Sequence, residues 1–464
     1  MIRVAFTTLR ADWRLWIGPV IVVGSTALLL TLVVTYWWSL GTPQAESTLA
    51  TLGRSLDEVR ASSYMLYVVI ALSVVIVLGS NTAVTIRAQR YQIATLRLAG
   101  ARPRQVRAAI TLQVLAVSFV GTFLGYFLAL PLVQPATDTL TRMSTRTDTH
   151  ITAVADGVVL LFTLACTLVV CWLASFRPAR IAAKTPAVAA VRDEPQASKK
   201  MGVVRWIGFG LAVSMVFMIL IGAIASVFYV SSPGEAFAAG ASNSITLGIT
   251  LAATFGFAAP LMIPAIMRLW TSIVPPTRPA WYLARQSAFH RFALSSTTIV
   301  PLTVGFTLFG VIFGSIATWQ TALNITGISE PLNTLDTYVV LTPVAVITGV
   351  GSVTNLFMTG RDRQRELALT RTAGARPGTL RAQVALEALI YVVTAGIVAL
   401  IATIVTVLTQ SVTYVLSGGP FAPSLDLTQF ALLLPVAYVA MLLVVALPAY
   451  SASHKDLRSA LTPA

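Results

Sequence analysis

Ten apolar runs dominate this chain. They lie at about residues 16–40, 64–84, 109–133, 153–176, 206–230, 245–270, 297–319, 338–358, 384–408 and 430–450. Each is about 20 residues or longer, the length a helix needs to cross roughly 30 Å of hydrocarbon. Inside lipid every backbone N–H and C=O must be paired within its own segment, so runs of this kind are helices. The 464-residue chain is 56% hydrophobic and 11% charged, with mean hydropathy +0.80, whereas soluble domains are about 25% charged. The expected fold class is an all-α polytopic membrane protein with about ten transmembrane helices. The first run is too long for the core of a secretion signal and lacks a small-residue cleavage site, so it reads as an uncleaved anchor. Cys166 and Cys171 share one run. Five residues apart on a helix, they cannot pair with each other and read as small hydrophobes.

A net charge of +15 would point to nucleic acid in a soluble protein. The placement of the charge excludes that. With the N-terminus in the cytoplasm, 28 of the 32 Lys and Arg fall in segments on the cytoplasmic side. The outer loops keep only Arg54, Arg60, Arg142 and Arg146. Basic residues flank spans on the inner side of a membrane, so both termini are expected to be cytoplasmic. The outer loops are short and lean acidic, leaving no room for a folded extracellular domain.

The chain also repeats itself. At an offset of 274, residues 87–108 match 361–382 at ten of 22 positions. The looser match extends to four-helix units, helices 1–4 and 7–10, each preceded by a basic amphipathic stretch (Ile2–Arg14 and Trp281–Phe292). An even number of spans separates the units, so they enter the membrane in the same direction, as parallel repeats. The expected organisation is a first unit at 1–176, a cytoplasmic linker at 177–205, two linking helices at 206–271 and a second unit at 272–464.

The best-conserved piece of the repeat is a cassette, "RLAGARPRQVRA" at Arg97–Ala108 and "RTAGARPGTLRA" at Arg371–Ala382. Gly100 and Gly374 suit the left-handed residue that ends a helix. Pro103 and Pro377 suit the first turn of the next helix, where no N–H is needed. The spacing predicts a short interfacial helix, a tight turn and then a transmembrane helix. The cassette arginines would face lipid phosphates or a partner. Topology alone does not require "AGARP" twice, whereas a docking surface for a partner present twice does.

The stretch "RQRELALTRTAGARPGTLRAQVALEALI" (Arg363–Ile390) resembles the signature of FtsX-like permeases, the membrane subunits of MacB-type (type VII) ABC transporters. Two four-helix units with two extra helices are similar to the ten-helix layout of Bce-type permeases. The resemblance covers almost the whole chain, but MacB and Bce permeases carry a large extracellular domain that these loops cannot hold. It implies that the loop between the second and third helix of each unit couples to an ATPase. Carried over, Arg97, Gly100, Ala101, Arg102 and Pro103, with Arg371, Gly374, Ala375, Arg376 and Pro377, lie at two docking sites. Glu366 matches the family's acidic position, and Gln92 replaces it in the first repeat. It further implies two copies of a separate ABC ATPase as partners, membrane lipids around the chain, and a bacterial plasma-membrane location.

A P-loop needs glycine before lysine, and none of Lys184, Lys199, Lys200 or Lys455 has it. The chain is therefore expected not to be an enzyme and to hold no cofactor, with ATP and Mg bound by the partner. His150, His290 and His454 are scattered and form no catalytic or metal constellation. Glu387 is the one charge well inside a span, with Gln113 at the equivalent place in the first repeat. An intramembrane acid is costly, and a polar tie or a coupling role are both open to it. Gly121/Gly125 and Gly310/Gly314 are spacings for close helix packing. Pro260, Pro264, Pro301, Pro343 and Pro435 would kink their helices. The function implied is the permease subunit of an ABC transporter exporting or extracting an amphiphilic substrate. The rival is a regulatory module that passes ATPase motion to an outside partner. A secondary transporter would need more acids in mid-span.

Overall fold

The computed structural model describes residues 13–53, 55–145, 147, 149–184, 203–226, 228, 233–275, 277–290, 292–327, 334–358 and 370–454. The first amphipathic stretch up to residue 12, the linker from residue 185 and Glu366 lie outside them. Among the described residues there is no strand, and the longer helices are α1 (Trp13–Ser39), α2 (Pro43–Thr51), α3 (Leu56–Ala88), α4 (Arg90–Leu98), α5 (Pro103–Thr145), α6 (Gly157–Lys184), α7 (Val203–Ser226), α8 (Pro233–Ile273), α9 (Pro279–His290), α10 (Phe292–Ile325), α11 (Thr334–Met358), α12 (Pro377–Leu416) and α13 (Leu427–His454). The described part of every apolar run falls mainly on one of these helices. Among the described residues nine helices are long and apolar enough to cross a membrane, and α13 adds a shorter apolar segment, Phe430–Leu443. The chain is an all-α polytopic membrane protein.

Helix ends depart from the ends of the apolar runs. α5 has 43 residues and α12 has 40, about 65 and 60 Å of helix, twice the hydrocarbon thickness. The helices also run on through proline, at Pro131 and Pro135 in α5 and at Pro260 and Pro264 in α8.

The chain divides into two compact units. One gathers α1–α6 with residues 342–358 of α11; the other gathers α7–α10, residues 334–341 of α11, α12 and α13. In the first, α1 packs on α5 through glycine. A Cβ on Gly125 would meet Gly24 O, with Ala27 Cβ and Leu28 N each 2.9 Å away, and one on Gly121 would lie 2.9 Å from Val23. Two backbones touch here, as a small-xxx-small seam allows. In the second unit the corresponding pair, α10 and α12, meets at Gly310 and Gly314, which lie against Thr403 and Val407. The glycines have moved to the opposite partner while the seam is kept.

Polar ties fix the rest. In the first unit Thr122 and Thr167 hydroxyls pair at 2.8 Å between α5 and α6. Asp156 caps α6, accepting from Val158 N and Val159 N at 3.1 and 3.2 Å. That accounts for an acid at the edge of a span, since a carboxylate satisfies orphan N–H groups at a helix start. The Gln134 side chain clamps the segment before α6, its Oε1 accepting from Ala153 N at 2.9 Å and its Nε2 donating to Ile151 O at 3.0 Å. In the second unit Ser244 of α8 donates to Gln410 Oε1 at 3.0 Å and pairs with Ser315 at 2.8 Å. All three side chains are buried, so this network holds α8 against α10 and α12.

Within the first unit, α3 meets residues 342–358 of α11. Gly351 lies directly over Val77, with Val77 Cβ 3.4 Å from where a glycine Cβ would stand. Asn355 Nδ2 donates to Ser80 Oγ at 3.2 Å. Residue 351 is the 274-offset equivalent of residue 77, and Asn355 is the equivalent of Asn81. Both asparagines are buried. One pair of repeat equivalents, Val77 and Gly351, therefore touches directly, and Asn355 reaches the neighbour of its own equivalent.

Candidate functional site

Gly100 has φ +86° and Gly374 has φ +92°, the left-handed region that penalises any Cβ. Around each, the backbone closes the same double hydrogen bond. Gly100 N donates to Arg97 O at 3.1 Å and Ala101 N to Leu96 O at 3.0 Å. Gly374 N donates to Arg371 O at 3.0 Å and Ala375 N to Thr370 O at 3.2 Å. This is a Schellman ending, in which the last carbonyls of one helix are satisfied by the N–H groups that follow the glycine. A Cβ on either glycine would meet nothing within 4 Å, so conformation and not space demands the glycine.

The next two residues start the following helix. Arg376 is extended, φ −68° and ψ 144°, and caps α12, with Pro377 at its first position. Arg102 plays the same part before Pro103: Val106 N donates to Arg102 O at 3.1 Å, as Leu380 N does to Arg376 O at 3.2 Å. α4, a turn and the long α5 thus follow one another as the sequence predicts. In the second cassette a helical turn at 370–372 precedes the glycine.

Exposure follows the repeat. Gly100, Arg102 and Pro103 are exposed, as are Gly374, Arg376 and Pro377; Arg97, Ala101, Arg371 and Ala375 are half-buried. Each turn presents one glycine, one arginine and one proline to solvent at the head of a 40-residue helix.

The two cassettes differ in detail. Gln105 Oε1 accepts from Arg102 N at 2.9 Å, half of a capping box, where the second cassette has Thr379. Arg107 lies with its Cζ 3.9 Å from the Phe176 ring centre, so this arginine packs on α6 and does not reach outward. Its equivalent, Arg381, is exposed. Gln92 is half-buried on α4.

Deeper in, Glu387 is 3% exposed and accepts from Tyr391 OH at 2.5 Å. One turn toward the cassette, Gln383 Nε2 donates to Ser287 Oγ of α9 at 3.0 Å. Gln383, Glu387 and Tyr391 stand at i, i+4 and i+8, a polar stripe on one face of α12. The equivalent residues of α5 are Ala109, Gln113 and Val117, all buried. The stripe belongs to the second repeat alone. Sequence inspection singles out Glu387 and misses Gln383 and Tyr391, although the four-residue spacing was there to be read. Among the described residues no three His, Cys, Asp or Glu side chains could hold a metal.

A duplicated helix–turn–helix head on long membrane helices defines a polytopic transport-type membrane component. The family model described as FtsX-like permease C-terminal matches residues 64–186 and again 338–457, a little over half of the chain. The two matches start 274 residues apart, the offset of the cassettes, and each contains one cassette and the stripe position behind it. The chain belongs to the FtsX-like permease family, membrane components of ABC transporters that partner with a separate ABC ATPase. No curated protein matches it.

Proposed function

We propose that this chain is a complete pair of FtsX-like halves, the permease of an ABC transporter in a bacterial plasma membrane. Both termini and both cassettes face the cytoplasm, where two copies of a separate ATPase bind ATP and Mg. One ATPase docks at the turn around Gly100–Pro103 and the other at the turn around Gly374–Pro377. The observation that carries this reading is the identical Schellman turn heading two helices of 43 and 40 residues. A rigid turn transmits a push without absorbing it. A continuous helix carries that push across the bilayer and beyond, as a mechanical lever requires. The substrate is an amphiphile, a lipid, drug or hydrophobic peptide, taken from the membrane and moved outward between helices.

The test is co-purification with an ABC ATPase and measurement of its stimulated ATP hydrolysis. Gly374→Val and Arg376→Glu should each cut stimulation several-fold and weaken assembly. Unchanged stimulation and assembly in both variants would end the coupling assignment.

A further inference from the structure

The connection between α8 and α10 gathers two arginines around one phenylalanine. Arg268, near the end of α8, and Arg285, on α9, both have their Cζ 5.8 Å from the ring centre of Phe289. The two guanidinium groups therefore stand at most twice that distance apart, around one aromatic ring. From Ala236 to Ser329 the sequence contains no Asp or Glu, and among the described residues neither arginine has an acidic partner. Two like charges converging on one ring repel each other. The ring offsets part of that, since a cation within about 6 Å of an aromatic face is attracted to it. An anion would complete the arrangement, because arginine forks match phosphate oxygens in pairs.

The surroundings say what kind of anion. Leu269 and Ile273, beside Arg268 on α8, are 73% and 78% exposed, and Tyr282 of α9 is 55% exposed. Trp270 and Trp281 meet edge to face at 6.0 Å, and Trp270 Nε1 donates to Thr394 Oγ1 at 3.0 Å. Exposed aliphatic side chains next to a charge, with the exposed Tyr282 on the adjoining helix, mark the boundary between acyl chains and headgroups. We infer that Arg268, Arg285 and Phe289 form a binding site for the phosphate headgroup of an anionic phospholipid, with its acyl chains along Leu269 and Ile273. A lipid held there would rest on α9, which is tied to α12 by the Ser287–Gln383 hydrogen bond. It would brace the helix that leaves the second cassette.

The experiment is native mass spectrometry of the purified full chain, delipidated and then titrated with phosphatidylglycerol or phosphatidylcholine of the same chains. The wild type should retain phosphatidylglycerol in clear preference to phosphatidylcholine. Arg268→Gln and Arg285→Gln should each weaken that retention about five- to tenfold, in line with the contribution of a basic residue at an anionic membrane surface. Arg268→Lys and Arg285→Lys should lose less, while Arg180→Gln, on α6, should lose little. Size-exclusion elution and helix content of each variant separate a binding defect from misfolding. Equal retention of both lipids, or full retention by an Arg268→Gln/Arg285→Gln double variant that folds, overturns the site. Displacement of the lipid by millimolar glycerol 3-phosphate alone would make it a site for soluble phosphate and would also overturn it. So would variants that keep phosphatidylglycerol but lose ATPase assembly, since the occupant would then be an acidic protein surface. Lipid retention is read without an ATPase, so it stands or falls independently of the coupling role.

Discussion

At the scale of single residues, glycine does two different jobs here, and they predict opposite sensitivities. Gly374 is needed for its backbone angle, with open space around it. Gly374→Ala should therefore cost about 1 kcal/mol of local stability from left-handed strain, and Gly374→Asn should cost less. Hydrogen exchange at the Ala375 amide, whose bond to Thr370 O closes the turn, reads this directly: faster exchange in the alanine variant than in the asparagine variant. Gly125 is needed for space, since a Cβ would run into α1 at Gly24 O. Gly125→Ala should destabilise the first unit by about 1–3 kcal/mol through forced separation of packed helices. Gly222 sits inside α7 with nothing within 4 Å of a Cβ, so Gly222→Ala should be neutral or slightly stabilising. Thermal unfolding in one detergent compares the two. A Gly222→Ala loss as large as that of Gly125→Ala would refute the seam.

At the scale of elements, α3 and residues 342–358 of α11 touch at one pair of repeat equivalents, Val77 and Gly351. Buried asparagines at matched positions of parallel helices fix register at some cost in stability, as a polar position does in coiled coils. The Cβ separation implied at Val77 and Gly351 lies at the lower edge of the range a disulfide spans. A Val77→Cys/Gly351→Cys variant should thus cross-link on mild oxidation, and Val75→Cys/Gly351→Cys should not, because Val75 points to the exposed side of α3. Cross-linking of both pairs alike would mean that the register is loose. Much of this level was legible in the sequence and some was not, for physical reasons. The ten apolar runs and both cassette turns could be read because hydropathy and the left-handed glycine act locally. The extension of α5 to Thr145 could not, because its Thr-rich end carries no apolar signal. It is held by tertiary contacts such as Tyr36 OH to Ser144 Oγ at 3.0 Å. α2, in the connection between α1 and α3, escaped for the same reason. Its signals are a Thr42 cap and Pro43, which an apolar count ignores. The Asn81–Asn355 match lay six residues upstream of the aligned segment 87–108, within reach of the same offset.

At the scale of the whole molecule, the placement of charge must agree with the direction of the machine. If the cassettes meet ATPases, they face the cytoplasm, and the segment carrying α2 lies on the far side of the membrane. The clustering of 28 of the 32 basic residues at the termini and in alternate connections argues for the same orientation on independent grounds. Both can be tested in one experiment on intact cells, in a background with Cys166 and Cys171 replaced by alanine. Ala50, on α2, and Ala373, in the second cassette, are both exposed, so neither substitution buries a new thiol. A membrane-impermeant maleimide should label Ala50→Cys at once and should label Ala373→Cys only after permeabilisation. The reverse pattern would put the turns where no ATP is bound and would end the coupling assignment. Labelling of both sites in intact cells would break the odd number of crossings expected between them. The same two variants then report on motion. With the ATPase bound, Ala373→Cys in permeabilised cells should be protected several-fold, while Ala50→Cys on the opposite side should keep its reactivity, because a partner covers only the surface it touches.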